Sequence, residues 1–252
     1  MSSQKIALIT GASQGLGKAM ALQLAAQGTD IIFSYHKEQA AANEVVAQIE
    51  ALGRKAIGYQ ADMGNMESVA RLLKQATDHL QEKTGSPQFD FLINNAGNYA
   101  ITLVSDTEED VLDNLYRVHL KGMYMLTKQA LPFIRDNGRI VNISSGLTRF
   151  TVLGRSAYAS IKGAVEVFTR YLALEVGQRG ITANVVAPGI VHTQMTHAQL
   201  EDAGRVQLFE NSTALGRVGM PEDIAGVVGF LCSAEARWVT AQRIEASGGI
   251  FL

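Results

Sequence analysis

The sequence predicts an α/β fold of the doubly wound type, in which a parallel sheet of about seven strands is covered by helices on both faces. Two observations carry this prediction. Short apolar runs of strand type alternate with longer helical stretches along the 252 residues, and a glycine-rich turn joins the first strand to the first helix. The hydrophobic content of 47% is sufficient for one large core, so we expect a single domain over residues 1–252.

The first predicted element is a buried strand over residues 5–10, and a turn with Gly11, Gly15 and Gly17 follows it directly. A helix over residues 18–27 comes next and ends before a further glycine. Glycine lets the backbone turn tightly and approach a pyrophosphate, whose charge meets the unpaired N–H groups of the helix start. A glycine turn between a strand and a helix favours a dinucleotide site over an ordinary turn. The segment therefore predicts nucleotide binding.

The second predicted strand, residues 31–35, bears on the choice of nucleotide. An Asp or Glu at its carboxyl end would hydrogen-bond the free 2′-hydroxyl of NAD, and none is present there. Asp30 lies at the opposite end of the strand, roughly 16 Å away at about 3.3 Å per residue. The carboxyl end offers Tyr35, His36 and Lys37, which suit a 2′-phosphate. We expect NADP(H) rather than NAD(H); the alternative is that His36 and Lys37 only begin a solvated helix.

The remaining elements follow the same alternation of apolar runs and helical stretches. Strands are predicted at residues 56–60, 89–94, 138–144, 181–188 and 242–247, and helices at residues 38–52, 66–82, 108–135, 157–178 and 221–233.

Tyr158 and Lys162 stand four residues apart in one of these helices, so both side chains project from the same face. A tyrosine phenol has a pKa of about 10, and a fixed positive charge nearby lowers that value because it favours the phenolate. The pair is a candidate for proton transfer. Taken alone, the spacing more often marks a solvated surface pair, and its significance comes from the segments before it.

Together these segments resemble the classical short-chain dehydrogenase/reductase family over residues 5–249. Five markers occur in the family's order. They are Thr10 to Gly17 for the cofactor turn, Asp62 after a strand, Asn94-Asn95-Ala96-Gly97, Ser145 thirteen residues before Tyr158, and Pro188 to Thr193. The resemblance implies a Rossmann fold, which agrees with the predicted alternation of strands and helices.

The resemblance also implies a set of cofactor-binding residues. They are Gly11, Ser13, Gln14, Gly15, Leu16, Gly17, Tyr35, His36, Lys37, Asp62, Met63, Asn95, Ala96, Gly97, Tyr158, Lys162, Pro188, Gly189, Ile190 and Thr193. Within this set, Asp62 would contact the adenine, and Thr193 would hold the nicotinamide amide.

The mechanism implied by the family is hydride transfer between NADP(H) and a carbonyl carbon while Tyr158 donates its proton to the oxygen, or the reverse for alcohol oxidation. Ser145 would hold the developing oxyanion. Lys162 would lower the pKa of the tyrosine and bind the nicotinamide ribose.

One catalytic position departs from the family pattern, because His119 stands where an asparagine is usual. That asparagine supports a water chain through which the tyrosine is reprotonated. Imidazole also donates and accepts hydrogen bonds, whereas a protonated His119 would add an unfavourable like charge beside Lys162. We therefore expect a neutral, hydrogen-bonded His119 in an active enzyme; the alternative is an ordinary core histidine.

The substrate is less clearly indicated. Residues 192–216 resemble the family's substrate-covering loop, which differs most among members. Further candidates for the pocket wall are Asn98, Tyr99, Leu147, Phe150, Val152, Leu153 and Met195. This mixture of aliphatic and aromatic groups favours a moderately apolar ketone or aldehyde over a charged sugar phosphate.

Two alternative functions stay open. One is a 3-oxoacyl-[acyl-carrier-protein] reductase, although such relatives commonly carry Arg before Glu where this chain has Leu174-Glu175. The other is a non-catalytic NADP-binding sensor or scaffold, suggested by His119 and opposed by the intact set of Ser145, Tyr158 and Lys162.

Composition argues against several other classes of function. A net charge of −2 gives no electrostatic reason to expect nucleic acid or an anionic membrane as a partner. The lone Cys232 excludes an internal disulfide, and the five histidines do not form a metal-binding pattern, so we assign no metal. With no signal peptide and no apolar run long enough to span a bilayer, we expect a cytoplasmic protein.

The family resemblance also implies a homotetramer or a homodimer. Its subunits would meet through the helices at residues 108–135 and 157–178 and through the C-terminal residues 243–252.

Overall fold

The computed structural model describes residues 4–252 and contains a parallel sheet of seven strands. The strands are β1 (Lys5–Ile9), β2 (Thr29–Tyr35), β3 (Ala56–Gln60), β4 (Phe89–Asn94), β5 (Ile134–Ile143), β6 (Thr182–Pro188) and β7 (Arg243–Ala246). Their order is β3-β2-β1-β4-β5-β6-β7, so the direction of winding reverses between β1 and β4. The predicted doubly wound sheet is confirmed, and such a reversal is where ligands bind in open α/β sheets.

The described part of the chain forms nine α-helices. They are α1 (Gly15–Ala26), α2 (Gln39–Ala51), α3 (Met66–Thr84), α4 (Glu109–Tyr116), α5 (Met123–Ala130), α6 (Ser156–Val176), α7 (His197–Leu200), α8 (Ala203–Asn211) and α9 (Pro221–Leu231). The segment 192–216, expected as a loop, therefore contains the two short helices α7 and α8. Within residues 4–252, none of these helices combines the length and the hydropathy needed to cross a bilayer.

The prediction of one continuous helix over residues 108–135 is wrong, because the α-helix is interrupted in its interior. A π-helical turn at Arg117–Gly122 separates α4 from α5. At this turn the backbone of Gly122 lies against the carbonyl oxygen of Met63, and a β-carbon at Gly122 would collide with that oxygen. The widened turn lets the helical segment pass close to the loop that follows β3.

The end of that predicted helix is also wrong. The α-helix stops at Ala130 because Pro132, which lacks an N–H group and restricts the residue before it, lies in a 3₁₀ turn at Leu131–Phe133. The next strand begins at Ile134 rather than at the predicted residue 138. Of the additional residues, Ile134 pairs with Phe89 of β4, and the register shifts before Arg139 pairs with Phe91.

Apolar side chains cover both faces of the sheet. In β1, Ala7 and Ile9 belong to one buried cluster, with side chains of α1, α2 and α9. Ile6 and Leu8 belong to a second cluster, with side chains of α3, α5 and α6. Because successive residues of a strand point to opposite faces, this division shows helices packed on both sides.

A chain of buried amides positions α6 against the sheet. Asn94 of β4 donates hydrogen bonds to Asn142 of β5 (2.8 Å) and to the hydroxyl of Thr127 in α5 (3.0 Å). Asn142 in turn donates to the hydroxyl of Thr169 in α6 at 2.9 Å. Buried polar networks of this kind fix a unique arrangement of the elements they join, and here they hold α6 beside the carboxyl ends of β4 and β5.

Candidate active site

The turn after β1 has a shape that only glycine permits at two positions. Gly11 has a φ of 67°, and a β-carbon there would lie 2.9 Å from the Cα atom of Ala96. A β-carbon at Gly17 would collide with the carbonyl oxygen of Gly11 and lie 2.8 Å from the Cα atom of Ala12. The amide of Asn95 holds the turn, since it donates to the carbonyl oxygens of Thr10 (3.0 Å) and Gly11 (2.9 Å).

The same turn leaves backbone donors available for an anion. Helix α1 starts at Gly15, and the side chain of Gln14, its N-cap residue, makes no capping hydrogen bond. The first N–H groups of a helix have no partner inside the helix, and the helix dipole favours negative charge there. The start of α1 therefore suits a phosphate group.

A single cavity of about 510 Å³ joins this turn to the predicted catalytic residues. It runs along the carboxyl ends of the strands, at the reversal between β1 and β4. The predicted site residues that line it are Gly11, Ser13, Gln14, Gly15, Leu16, Gly17, Tyr35, His36, Asp62, Met63, Asn95, Ala96, Gly97, His119, Ser145, Tyr158, Lys162, Pro188, Gly189, Ile190 and Thr193. The glycine turn and the predicted catalytic residues therefore border one continuous space.

Two predicted residues do not line this cavity. Lys37 is exposed, because β2 ends at Tyr35 and the chain then bends toward α2. Leu153, expected in the pocket wall, is 85% exposed. The other predicted wall residues, Asn98, Tyr99, Leu147, Phe150, Val152 and Met195, do line it.

Tyr158 and Lys162 lie on the buried face of α6. The Lys162 ammonium donates a hydrogen bond of 2.8 Å to the carbonyl oxygen of Ile143 and lies 5.6 Å from the centroid of the Tyr158 ring. Burial lowers the pKa of Lys162 to about 7.

The pKa of Tyr158 is raised, whereas the sequence analysis expected Lys162 to lower it. Burial raises it above the ordinary value of 10.0, and the neighbouring Tyr99 raises it further. Burial outweighs the attraction of the nearby lysine, whose hydrogen bond goes to the backbone rather than to the phenol. Tyr158 is therefore a neutral phenol in this structure.

Two adjacent serines follow β5 with different surroundings. The buried hydroxyl of Ser144 donates to a carboxylate oxygen of Glu166 at 2.8 Å. The Ser145 hydroxyl accepts only a 3.2 Å hydrogen bond from the backbone N–H of Leu147 among the bonds of the described residues. Its proton is thus available to a ligand in the cavity, as the predicted catalytic position requires.

His119 lies in the π-helical turn and is buried beside Tyr158, with the two ring centroids 5.3 Å apart and the planes nearly perpendicular. Burial lowers the pKa of the imidazole well below 6.5, the charge of Lys162 lowers it further, and a hydrogen bond to the Asn98 backbone opposes both effects. The imidazole is therefore neutral. Gly97 makes room for it, since a β-carbon there would lie 2.5 Å from the ring.

The two ring nitrogens of His119 differ. Nε2 lies 2.8 Å from the carbonyl oxygen of Asn98 and 3.0 Å from its side-chain oxygen, two acceptors for a proton on Nε2. The backbone N–H of Asn98 lies 3.1 Å from the same nitrogen and donates to it in the other tautomer. Nδ1 is buried and has no hydrogen-bond partner within residues 4–252. A second cavity of about 10 Å³, the size of one water molecule, is lined by both His119 and Lys162.

Gln199 and Phe209 of the predicted substrate-covering segment line the cavity, and so do Arg155, Ile250 and Phe251, which the sequence interpretation did not place there. Their placement depends on distant contacts. Arg149 forms a salt bridge with Glu245 at 2.6 Å and donates hydrogen bonds to the carbonyl oxygens of Ile250 (2.6 Å) and Phe251 (3.1 Å). It thereby fastens the segment after β7 to the cavity wall. The sequence interpretation had assigned residues 243–252 to a subunit contact and not to the cavity.

Among residues 4–252, no group of three or more His, Cys, Asp or Glu side chains is placed to hold a metal ion. Cys232 is buried, and burial raises the pKa of its thiol to about 12. It packs as a small apolar residue in the cluster of α1, α2 and α9.

Comparisons with known proteins cover nearly the whole chain. A family model described as enoyl-(acyl carrier protein) reductase matches residues 11–250. The versicolorin reductase stcU of Emericella nidulans is 34% identical over 98% of this chain and 96% of its own length. The short chain dehydrogenase/reductase nsrJ of Aspergillus novofumigatus is 33% identical over 97% of this chain and 95% of its own.

Two solved structures are similar over the same extent. The reductase LugOII, a promiscuous enzyme that catalyses keto-reduction at C1 during lugdunomycin biosynthesis, is 40% identical with a TM-score of 0.93 over 98% of each chain. The angucycline C-6 ketoreductase LanV, solved with bound NADP, is 35% identical with a TM-score of 0.93 over 98% of this chain and 95% of its own. The fold, the family model and these relatives agree, and the chain belongs to the short-chain dehydrogenase/reductase family of oxidoreductases.

Proposed function

We propose that this protein is an NADP(H)-dependent oxidoreductase that interconverts a carbonyl compound and its alcohol, with Tyr158 as the acid and base. The observation that carries the proposal is that Ser145, Tyr158 and Lys162 line the same cavity as the glycine turn. LugOII and LanV, both keto-reducing enzymes by their descriptions, resemble the chain over 98% of its length and support it.

The proposed cofactor is NADP(H), which supplies or accepts the hydride when bound. Its phosphates would bind at the glycine turn and the start of α1, where glycine is required and backbone donors are available. The last residue of β2 and the two residues after it carry no carboxylate, and His36 lines the cavity at that point, which favours a 2′-phosphate. The NADP bound to LanV supports the same choice.

The neutral phenol of Tyr158 is suited to give a proton to a substrate oxygen as negative charge develops there. The Ser145 hydroxyl would donate a second hydrogen bond to that oxygen. After the transfer, the charge of protonated Lys162 would stabilise the phenolate, and the pKa of about 7 for Lys162 permits both protonation states near neutral pH. The reverse sequence serves alcohol oxidation.

We infer that His119 and Lys162 return the proton to Tyr158. The small cavity lined by the two side chains fits one water, with Lys162 and Nδ1 of His119 as its partners. Once Lys162 has given its proton to the Tyr158 phenolate, this water would donate a proton to the neutral lysine amine. A neutral imidazole adds no positive charge beside the lysine. This assigns His119 the part that an asparagine plays elsewhere in the family.

A second candidate function is reduction of a 3-oxoacyl group on a carrier protein. The description of the matching family model, which names acyl carrier protein, favours it. Acetoacetyl-carrier protein compared with a free ketone of similar size separates the two candidates by their kcat/KM values.

The proposal is tested by NADPH oxidation against a panel of ketones and aldehydes, with NADH and with Tyr158→Phe in parallel. We expect turnover that prefers NADPH and falls to background without the phenol. A ketone turned over equally well by Tyr158→Phe would contradict the assigned acid. NADPH binding without turnover of any substrate would favour a sensor or scaffold on this fold.

We further propose a homo-oligomer in the cytoplasm, formed by one domain per subunit. Apolar side chains are exposed along the outer face of α6, among them Val167 (46%), Tyr171 (67%) and Leu174 (82%). Tyr124 of α5 packs beside the same face through Phe168, with ring centroids 4.6 Å apart. A contiguous apolar surface on paired helices is typical of a subunit interface.

A further inference from the structure

Arg155 places a positive charge in the wall of the cavity, close to the proposed catalytic tyrosine. It is the N-cap residue of α6, and its guanidinium carbon lies 4.7 Å from the centroid of the Tyr99 ring. Tyr99 meets the Tyr158 ring edge-on, with centroids 5.0 Å apart. One aromatic ring therefore separates the guanidinium from the phenol proposed as the acid.

The hydrogen bonds of this guanidinium are incomplete. Nη2 donates to the side-chain oxygen of Gln199 in α7 at 3.2 Å. Nη1 is buried and has no hydrogen-bond partner among residues 4–252, and no carboxylate in that range lies within 4.0 Å of the guanidinium. A buried charged donor without an acceptor is costly. An anion in the cavity would supply the charged partner that the guanidinium lacks.

The surroundings of Arg155 restrict which anions would fit. Aromatic side chains of Phe150, Phe209 and Phe251 line the same cavity, together with Tyr99. A guanidinium binds carboxylates and other planar anions through parallel N–H groups, and an apolar wall weakens competition from water. The combination suits a flat, ring-bearing molecule with a charged oxygen at one edge.

We propose that Arg155 determines substrate specificity by binding an anionic oxygen of an aromatic ketone, across one ring from the carbonyl group that Tyr158 protonates. The charged oxygen belongs to a carboxylate or to an ionised phenol. The Gln199 contact makes α7 part of the same site. This assignment rests on the proposed carbonyl reductase function and specifies its substrate class.

Pairs of ketones that differ in the charge of one substituent test whether the site prefers an anion. Para-acetylbenzoate and para-acetylbenzamide place a charged and a neutral group across one ring from the same ketone. A nitro-activated para-hydroxyacetophenone and its methyl ether make the same comparison for a phenolate. We expect the wild type to show a higher kcat/KM for the charged member of at least one pair, which also identifies the source of the anion.

Variants then assign the preference to Arg155. Arg155→Met keeps the apolar stem without the charge, and Arg155→Lys keeps the charge without the planar donors. We expect Arg155→Met to lower kcat/KM about tenfold to a hundredfold more for the charged substrate than for the neutral one, and Arg155→Lys to restore part of the difference. Arg205→Met, at an exposed position of α8 outside the cavity lining, should leave the ratio unchanged.

Equal losses for both members of a pair would overturn the proposal and leave Arg155 as a support for Tyr99. Calorimetry on the NADP⁺-saturated protein separates this failure from that of the proposed function. Tighter binding of para-acetylbenzoate than of the benzamide, lost in Arg155→Met, supports the anion site even when no ketone turns over. Equal binding of the two by the wild type, together with equal binding of the phenolate and its ether, contradicts it.

Discussion

The ammonium of Lys162 donates a hydrogen bond to the carbonyl oxygen of Ile143, 2.8 Å away, at the end of the strand that leads to Ser145. This contact ties the proton-transfer helix to the strand that presents the oxyanion donor. It also directs the lysine away from the phenol, whose ring centroid is 5.6 Å from the nitrogen. The distance between Ser145 and Tyr158 is thus set by a backbone contact as well as by packing.

The buried lysine should make stability depend on pH. Burial lowers the pKa of Lys162 from 10.5 to about 7, so the unfolded state binds its proton more tightly. The cost of the buried group is fully present below pH 7 and disappears as the pH rises through 10.5. Compared with Lys162→Met, the free energy of unfolding of the wild type should rise by up to about 4 kcal/mol between pH 7 and 10, at about 1.4 kcal/mol per pH unit. Denaturant unfolding of both proteins measures this difference.

The exposed Lys121 provides a control, because Lys121→Met should follow the wild type at each pH. A difference between wild type and Lys162→Met that stays constant from pH 7 to 10 would contradict the shifted pKa.

His119 should control the basic limb of the pH–rate profile. Replacement of the imidazole by the smaller side chain in His119→Asn would admit water beside Lys162 and relieve the burial that lowers the lysine pKa. We expect the limb to move to higher pH. His119→Phe, which fills the space without a hydrogen-bonding nitrogen, should lower kcat about tenfold or more with little change in NADPH affinity. An unchanged profile in His119→Asn would show that the residue takes no part in the relay.

His119 should also make the folded protein less stable at acid pH. Because its folded-state pKa lies well below 6.5, the stability that the neutral imidazole provides is present above pH 6.5 and is lost as the pH falls. His119→Gln, which does not titrate, should lose less stability than the wild type between pH 7 and 5 in urea unfolding. Parallel losses in the two proteins would exclude the shift.

Gly17→Ala should abolish nucleotide binding. Its β-carbon would collide with the Gly11 carbonyl oxygen, so the turn must open and carry the first N–H groups of α1 away from the phosphates. We expect no NADPH binding in a fluorescence titration and a loss of about 1–3 kcal/mol in unfolding free energy. Gly226→Ala in α9, where a β-carbon would meet no atom within 4 Å, should retain binding and gain up to about 1 kcal/mol. Binding by Gly17→Ala with wild-type affinity would show that the turn tolerates a side chain.

The end of β2 should set cofactor preference. His36→Asp would place a carboxylate where it accepts a hydrogen bond from the free ribose hydroxyl of NADH and repels a 2′-phosphate. We expect the ratio of kcat/KM for NADPH to that for NADH to fall at least about tenfold. Lys37→Met measures separately whether the exposed lysine reaches the phosphate; if neither change affects the ratio, the 2′-phosphate binds elsewhere.

Leu174→Glu should shift the protein to smaller assemblies, because it places a charge on the exposed apolar face of α6. Light scattering measures the mass, and Leu52→Glu, at an exposed leucine following α2, provides the control. The same mass for wild type and Leu174→Glu would exclude α6 as the interface.

Local signals predicted the parts of this molecule that local chemistry determines. The strand–turn–helix at the glycines and the shared helix face of Tyr158 and Lys162 agree with the structure, because short-range geometry and helical periodicity decide them. The helix over residues 108–135 was predicted wrongly, because the apolar periodicity of the sequence continues through Pro132. The start of β5 is decided by its pairing with the neighbouring strand β4, which periodicity does not report.

The direction of the Tyr158 pKa was also missed. Spacing along a helix reports which charges are near but not how deeply both groups are buried, and burial is the larger effect here. Arg155 went unnoticed for a related reason, because its contacts with Tyr99 and Gln199 join segments that are distant in sequence.

The close approach of Gly97 to the imidazole of His119 makes the two positions interdependent. A methyl group at residue 97 fits only after the imidazole has been replaced by a smaller side chain. Gly97→Ala should therefore destabilise the protein that carries His119 and have little effect on the stability of the His119→Asn variant. Histidine at residue 119 therefore restricts residue 97 to glycine, and the two positions must be changed together.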